Sequence, residues 1–319
     1  MFKPLTTSTG SSPDLSRRSL IKLLLALGVC NPLLSGLVNS ASQQRQLKNI
    51  PSSSEKLPVI GLGTSRTFDI LNQPEKLDAL SEVMQLFFNQ QGSLIDSSPM
   101  YGEAENVIGK LLKNIQQPHP LFAASKVWTD GKQAGIEQIQ TSRNLWGIKR
   151  FDLMQIHNLR DWKTHINTLN NMKAEGQIRY TGITTSHGRF HNELISLLQH
   201  QTFDFIQLSY NILDREVENR LLPLAIDKGI AVITNRPYQR GELFRKVKSK
   251  PLPDWASDIN VNSWGQFFLK FIVSHPAVTC AIPATTKAKH LLDNMGAQFG
   301  PLADEKMRNE MIHYISRLS

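Results

Sequence analysis

The chain of 319 residues contains only two cysteines, and this scarcity excludes a fold held together by disulfides. Cys30 lies in the N-terminal segment, so the remainder of the chain keeps a single thiol, Cys280, and cannot form an intramolecular disulfide. Cys280 lies in the apolar stretch 278–282, which predicts an inert, buried side chain. Low-complexity tracts and long linkers are also absent after about residue 55. Their absence favours one large domain over two ordinary ones.

The charge balance is basic but diffuse. The formal net charge is +9, and the first 40 residues carry four basic residues and one acidic residue, so the remainder has +6. Basic residues cluster only at 245–250, a run that is typical of a solvated loop. A composition of 40% hydrophobic and 20% charged residues is that of a soluble globular protein. We therefore expect no nucleic-acid partner.

Residues 1–40 have the order of basic, apolar and small residues that is found in export signals. Arg17 and Arg18 closely resemble the paired arginines of the twin-arginine (Tat) pattern. The apolar run that follows is interrupted at 31–32, whereas roughly 20 apolar residues are needed to cross a bilayer. We expect cleavage after Ser40, the Tat export machinery as a partner, and a periplasmic or otherwise exported location. An uncleaved signal that anchors the protein to the membrane is the alternative.

From residue 57 onward, short apolar, β-branched runs alternate with longer amphipathic ones. The eight strand candidates are 59–62, 93–96, 121–126, 153–157, 180–184, 205–209, 231–234 and 278–282. The eight helical stretches are 74–91, 103–114, 132–146, 163–175, 190–200, 215–228, 262–274 and 287–297. This alternation predicts an α/β fold, a single-domain (β/α)8 TIM barrel over residues 57–319. Residues 41–56 are expected to form a flexible segment.

Three side chains that suit acid–base chemistry stand at the ends of three successive predicted strands. They are Asp96, Lys126 and His157. In a (β/α)8 barrel the functional groups lie on the loops after the C-terminal ends of the strands, so we expect these three to converge. Tyr101 follows Asp96 by five residues, which brings a phenol to the same end of the barrel.

The competing fold is a doubly wound sheet, and the glycines Gly61 and Gly63 after the first predicted strand are its best support. A dinucleotide-binding motif needs a third glycine where this chain has Arg66, and it needs a helix directly afterwards. The sequence offers neither. We therefore interpret the two glycines as a tight turn at the end of a strand.

The ordered set of motifs resembles the aldo-keto reductase family over nearly all of residues 57–300. The stretches that carry the resemblance are 96–105, 125–126, 155–158, 175–183, 207–211, 282–287 and 293–294. The resemblance implies an NAD(P)H-dependent oxidoreductase that reduces a small aldehyde or ketone to an alcohol. A non-catalytic or regulatory nicotinamide-nucleotide-binding protein of the same fold is the alternative.

The resemblance also implies that Tyr101 is the proton donor. An acid is needed because negative charge develops on the carbonyl oxygen during reduction. An isolated phenol has a pKa of about 10, so a neighbouring cation helps it to give up its proton. Lys126 is implied as that cation and Asp96 as the partner of Lys126. His157 is implied as a second hydrogen-bond donor to the carbonyl oxygen.

The implied cofactor is NADPH, with NADH as the alternative. Gln207 resembles the family's glutamine that binds the nicotinamide carboxamide. Arg236 and Arg240, after the seventh predicted strand, are candidate partners of the pyrophosphate. The remaining candidate cofactor-binding residues are Thr184, Thr185, Thr285, Lys287 and Asn294.

The cofactor end also departs from the family pattern. Thr185, Ala284 and His290 stand where asparagine, lysine and arginine are common in the family. The last two departures remove cations that would pair with a 2′-phosphate, which weakens the preference for NADPH. No metal is expected, because His187 and His191 have neither a cysteine nor a carboxylate cluster beside them.

Overall fold

The computed structural model describes residues 45–71, 73–116 and 120–318. Two short strands, β1 (Leu47–Asn49) and β2 (Lys56–Pro58), precede the barrel strands. The barrel strands are β3 (Leu62–Gly63), β4 (Leu94–Asp96), β5 (Phe122–Val127), β6 (Phe151–Ile156), β7 (Ile178–Thr184), β8 (Phe205–Ser209), β9 (Ala231–Asn235) and β10 (Val278–Ala281). The predicted export signal at residues 1–40 lies outside the described residues.

The eight strands β3 to β10 form one parallel sheet in chain order. The sheet closes on itself through a parallel bridge between Ile60 and Ala281. At this seam the amide of Gly61 donates a hydrogen bond of 2.9 Å to the carbonyl of Ala281. A sheet that closes in this way has no free edge. The predicted (β/α)8 barrel is therefore confirmed.

Gly61 and Gly63 belong to the barrel wall, and the predicted turn at this position was wrong. A Cβ added at Gly61 would lie 2.9 Å from the carbonyl oxygen of Leu94. A Cβ added at Gly63 would lie 2.7 Å from the carbonyl oxygen of Ile282. The neighbouring backbones approach too closely for any side chain, which is the reason for glycine at both positions.

Within the described residues, ten α-helices surround the barrel. They are α1 (Pro74–Asn89), α2 (Ala104–Leu112), α3 (Lys132–Trp146), α4 (Trp162–Ala174), α5 (His191–His200), α6 (Leu221–Asp227), α7 (Glu242–Lys246), α8 (Trp264–Val273), α9 (Ala288–Gly296) and α10 (Glu305–Arg317). The helix predicted at 215–228 is shorter in the structure, because a proline such as Pro223 fits only the first turn of a helix. The sequence interpretation missed α7 and α10. No helix in the described ranges is long and apolar enough to cross a membrane.

The described residues form two apolar core clusters, one between the sheet and the helices and one inside the barrel. Ile50 and Leu57, from the β1–β2 hairpin, join the inner cluster and close the end of the barrel at which the strands begin. Arg179 of β7 fastens the hairpin by donating to Glu55. The segment 41–56 was expected to be flexible, but its described part forms this hairpin, because burial of Ile50 against the inner core favours order.

Candidate active site

Four side chains with acid–base chemistry converge at the end of the barrel where the strands terminate. Asp96 is the last residue of β4, Lys126 lies one residue before the end of β5, and His157 follows β6 directly. Tyr101 lies in the turn after β4, where its amide donates to the carbonyl of Ser98 at 2.9 Å. The structure thus brings together all four residues that the sequence singled out for catalysis.

Asp96 and Lys126 form a buried ion pair. Nζ of Lys126 lies 2.5 Å from Oδ2 of Asp96 and also donates to the carbonyl of Ser97 at 2.8 Å. The exposed fractions of the two side chains are 0% for the lysine and 2% for the aspartate. The other carboxylate oxygen, Oδ1, accepts hydrogen bonds from the amides of Gln155 at 3.0 Å and Gln207 at 2.9 Å. Every oxygen of this buried carboxylate therefore has a donor, as a charge shielded from water requires.

Tyr101 lies beside the ion pair, with Nζ of Lys126 at 5.2 Å from the centre of its ring. Burial raises the pKa of Tyr101, the Lys126 cation opposes this rise, and Asp96 adds to it. Burial would by itself lower the pKa of Lys126, but Asp96 and Tyr101 outweigh burial, so that pKa is raised. At neutral pH the site therefore holds a protonated phenol next to a fixed ammonium ion.

His157 faces Tyr101, with the two rings edge-on at 88° and their centres 5.8 Å apart. Nδ1 of His157 lies 2.9 Å from Oγ of Ser98. Burial, followed by repulsion from Lys126, lowers the pKa of His157 to about 3. The imidazole is therefore neutral at physiological pH and can donate a hydrogen bond without adding a second charge to the site.

The opening above these residues has an aromatic wall. The ring of Trp128 is centred 6.4 Å from the ring of His157, and the residue is 36% exposed. The guanidinium of Arg160 lies 5.0 Å from the centre of the Trp128 ring. Arg160 also donates to both carboxylate oxygens of Asp130, at 2.9 Å and 2.7 Å. The cation–π contact and the bidentate ion pair together fix the plane of the indole at the entrance.

Three of the side chains predicted to bind the cofactor, those of Gln207, Thr184 and Thr185, lie on β8 and at the end of β7. Gln207 is buried and donates to Asp96, as described above. Oγ1 of Thr184 accepts a hydrogen bond of 3.1 Å from the amide of Asn158. Oγ1 of Thr185 is buried and has no hydrogen-bond partner in the part of the chain that the structure describes. A buried hydroxyl without a hydrogen-bond partner favours the binding of a ligand that can form a hydrogen bond with it.

Arg236 and Arg240 lie on the loop after β9, in a basic cluster with His187. Nη2 of Arg240 lies 2.9 Å from Nε2 of His187. Burial, followed by repulsion from Arg236 and Arg240, lowers the pKa of His187 to about 4, so its ring accepts this hydrogen bond as a neutral group. Nη1 of Arg236 is buried and has no hydrogen-bond partner among residues 45–71, 73–116 and 120–318. These cationic donors suit an anionic ligand.

The remaining predicted cofactor residues lie at and beyond the end of β10. Oγ1 of Thr285 accepts a hydrogen bond of 3.1 Å from the amide of Lys287, the residue before α9. Asn294, within α9, accepts a hydrogen bond of 2.6 Å from the hydroxyl of Tyr238. Because Tyr238 belongs to the loop after β9, this contact joins the two groups of predicted cofactor residues.

Comparison with known proteins agrees with this arrangement. A sequence profile of the Aldo/keto reductase family matches residues 59–312. The chain belongs to the aldo/keto reductase family. It is 27% identical over 195 residues to the NADH-specific methylglyoxal reductase of Escherichia coli (strain K12), a match that covers 51% of this chain and 58% of that protein. It is 21% identical over 309 residues to the probable aldo-keto reductase 1 of Glycine max, and this match covers 83% of this chain and 88% of its relative.

Solved structures of aldo-keto reductases share the fold. The holo form of an aldo-keto reductase from Bacillus halodurans superposes with a TM-score of 0.70 at 20% identity, over 85% of this chain and 96% of that one. An aldo-keto reductase from Klebsiella pneumoniae in complex with NADPH superposes with a TM-score of 0.67 at 21% identity, over 85% and 95% of the two chains. At these identities the likeness establishes the architecture of the barrel.

Two polar side chains of this aldo/keto reductase site escaped the sequence interpretation. They are Gln155, which donates to Asp96, and Ser98, which contacts His157. A signal for Gln155 was present, because it precedes His157 by two residues and so points to the same face of the sheet. Gly182 pairs in register with Gln155, and a Cβ there would lie 2.9 Å from Cγ of the glutamine. The missing side chain at Gly182 therefore leaves the space that Gln155 occupies.

The described residues contain no group of three or more histidine, cysteine, aspartate or glutamate side chains that could hold a metal ion. The two histidines with metal-like spacing have separate partners. His187 contacts Arg240, whereas Nδ1 of His191 lies 3.5 Å from a carboxylate oxygen of Glu216. His191 begins α5, one residue after the predicted start of this helix at residue 190.

Proposed function

We propose that this protein reduces the carbonyl group of a small aldehyde or ketone to an alcohol with a nicotinamide nucleotide, and that Tyr101 donates the proton. The observation that carries the proposal is the cluster of the buried Asp96, Lys126 and His157 with the partly buried Tyr101, at the end of the barrel where the strands terminate. A bound NADPH or NADH supplies the hydride. The chain's own residues supply the proton and stabilise the charge that develops on the carbonyl oxygen.

Each side chain then has one task. Tyr101 holds a proton at neutral pH and donates it to the carbonyl oxygen. Lys126 lowers the cost of the phenolate that remains, and Asp96 keeps the ammonium charged and in place. The neutral ring of His157 donates a second hydrogen bond to the same oxygen and so orients the carbonyl carbon.

The cofactor fits polar groups that have no hydrogen-bond partner within the described part of the chain. One of these groups is the hydroxyl of Thr185, whose backbone amide donates to the backbone carbonyl of Gln207 at 2.8 Å. A nicotinamide carboxamide offers both a donor and an acceptor to such a hydroxyl. Arg236 and Arg240 provide cationic donors for a pyrophosphate. Of the known proteins above, one is named as NADH-specific and another is described in complex with NADPH. We propose NADPH as the cofactor and NADH as the alternative.

Purified protein mixed with NADPH or NADH and a panel of small aldehydes and ketones tests this function. We expect the nucleotide to be oxidised only when a carbonyl compound is present. The decrease in nicotinamide absorbance measures this oxidation. The panel should include aromatic aldehydes, because Trp128 presents an exposed aromatic wall beside His157. Tight nucleotide binding without turnover of any compound would instead favour the second candidate, a regulatory nucleotide-binding protein. The departure from the family pattern at Thr185 is the observation in favour of that candidate.

We expect the substitution Arg236→Met to weaken the binding of NADPH by roughly 10- to 100-fold, the value of one hydrogen bond to a charged group. The reason is the buried Nη1 of Arg236, for which the described residues provide no hydrogen-bond acceptor. Fluorescence titration with NADPH measures the dissociation constant. Arg150→Met, which removes an exposed arginine just before β6 at the opposite end of the barrel, is the matched control. Equal affinities in the two variants would show that Arg236 does not contact the nucleotide.

We also propose that the protein is exported through the twin-arginine pathway. The support is the sequence of residues 1–40, with Arg17 and Arg18 ahead of an apolar run. The double substitution Arg17→Lys and Arg18→Lys is expected to retain the protein in the cytoplasm, as measured by cell fractionation. The N-terminal residue of the exported wild-type protein should be Ala41 if cleavage follows Ser40. An unchanged distribution in the double variant would contradict this route.

A further inference from the structure

Ser98 is fully buried and is hydrogen-bonded to both Tyr101 and His157. Its carbonyl accepts the amide of Tyr101 at 2.9 Å, which closes the turn that carries the phenol. Pro99 follows Ser98 at the turn position that proline favours. The side-chain oxygen of Ser98 lies 2.9 Å from Nδ1 of His157 and accepts the amide of Met100 at 3.2 Å. One residue therefore holds the Tyr101 turn through its backbone and the His157 ring through its hydroxyl.

The direction of the Ser98–His157 hydrogen bond follows from the number of donors and acceptors. A serine hydroxyl has one proton to give and two lone pairs. The amide of Met100 uses one lone pair. Among residues 45–71, 73–116 and 120–318, the only hydrogen-bond acceptor of the Ser98 hydroxyl is Nδ1 of His157. A buried hydroxyl without an acceptor would cost free energy, so the Ser98 hydroxyl donates and Nδ1 accepts.

We propose that Ser98 is a positioning residue that holds the neutral ring of His157 with its proton on Nε2. A neutral imidazole carries one proton, and an Nδ1 that accepts a hydrogen bond cannot carry it. Nε2 lies across the ring from the Ser98 contact, and it has no hydrogen-bond partner in the part of the chain that the structure describes. It is therefore the nitrogen that meets a ligand in the opening.

This assignment decides what His157 does for the reaction. With the proton on Nε2, the ring donates a hydrogen bond to the carbonyl oxygen and stabilises the charge that develops there. With the proton on Nδ1, Nε2 would present a lone pair to the same oxygen and repel it. The choice of substrate class is unaffected, because any carbonyl oxygen needs the same donor. The consequence for turnover rests on the proposed function, whereas the position of the proton does not.

A nitrogen-15 NMR spectrum of the cofactor-free full chain, labelled at histidine, tests the position of the proton directly. The signals of His157 are assigned by their loss in His157→Gln. At neutral pH we expect the wild type to show a protonated Nε2 and an unprotonated Nδ1. In Ser98→Ala we expect the shifts to move toward a mixture of the two tautomers. A wild-type ring protonated on Nδ1 would overturn the proposal, whether or not the protein reduces any aldehyde.

Kinetics with an aldehyde that the wild type reduces provide the second readout. Ser98→Ala is expected to lower kcat by roughly three- to tenfold, the value of one neutral hydrogen bond, with little change in the affinity for NADPH. Ser142→Ala is the matched control, since it removes another buried serine hydroxyl, one that donates to Glu105 at 2.7 Å. We expect both variants to lose similar thermal stability but only Ser98→Ala to lose turnover. If Ser98→Ala left both the tautomer of His157 and kcat unchanged, the proposal would be contradicted. If Ser98→Thr, which keeps a hydroxyl, restored both to their wild-type values, the proposal would be supported.

Discussion

The substitution Tyr101→Phe should lower the turnover of any aldehyde substrate by roughly 10²- to 10⁴-fold, the usual contribution of a positioned acid. The change removes only the hydroxyl, so the ring keeps its edge-on contact with His157 and its place 5.2 Å from Nζ of Lys126. The carbonyl oxygen then has a hydrogen-bond donor in His157 but no acid in reach. Steady-state kinetics at saturating NADPH measure the loss in kcat, and a fluorescence titration should show nucleotide affinity within about twofold of the wild type.

Tyr314→Phe is the matched control for this prediction. Tyr314 lies in α10 and donates to the carbonyl of Pro251, away from the cluster of Asp96 and Lys126. It should keep the turnover of the wild type. If Tyr101→Phe kept more than about a tenth of the wild-type kcat, the proton would have to come from another group, since a loss below tenfold is smaller than a positioned acid contributes.

The substitution Lys126→Met should lower the free energy of unfolding by about 3–5 kcal/mol, as well as abolish most turnover. Methionine fills much of the space of the lysine but leaves the Asp96 carboxylate buried without its cation. The hydrogen bonds from Gln155 and Gln207 remain, and they do not replace a full positive charge. Equilibrium unfolding in urea, followed by circular dichroism, measures the change.

The double variant Asp96→Asn with Lys126→Met separates the lost cation from the change in shape. Asparagine keeps an oxygen that can accept from Gln155 and Gln207, and the buried site then holds no charge. We expect the double variant to recover most of the stability that Lys126→Met loses, while remaining inactive. A double variant as unstable as Lys126→Met would mean that packing, and not the unpaired carboxylate, causes the loss.

Much of the fold could be predicted from the period of the apolar residues. Each of the eight strand candidates overlaps a strand or, at Ile60, the bridge that closes the barrel, because β-branched runs between amphipathic stretches identify buried parallel strands. Helix α10 was missed although Met307, Met311 and Ile315 recur every four residues. It follows the last of the eight strand–helix repeats, and the repeat pattern predicts no further helix there. The β1–β2 hairpin was missed because its segment has few apolar residues and therefore no clear strand pattern. The hairpin is ordered by packing on the end of the barrel, a contact that the sequence does not reveal.

The part of the candidate site that lies at the ends of strands could be predicted from the sequence. Asp96, Lys126 and His157 could be placed together because parallel strands end at one edge. The partners of these residues could not be read in the same way. The contact between Ser98 and His157 joins two loops that are 59 residues apart, and it depends on the tight turn of the first loop. The stack of Arg160 on Trp128 likewise depends on side-chain directions that spacing along the chain does not determine.

The apolar filling of the barrel has a consequence for the order of events in catalysis. Below Asp96 the interior is occupied by side chains such as Leu153 and Phe205, and Ile50 of the hairpin closes the far end. Within the described part of the chain, the apolar filling therefore blocks passage through the barrel, and the catalytic cluster is reached from the side on which Trp128 is exposed. If the proposed function is correct, carbonyl compound and alcohol share this path past Trp128, and the next substrate enters only after the previous product has left.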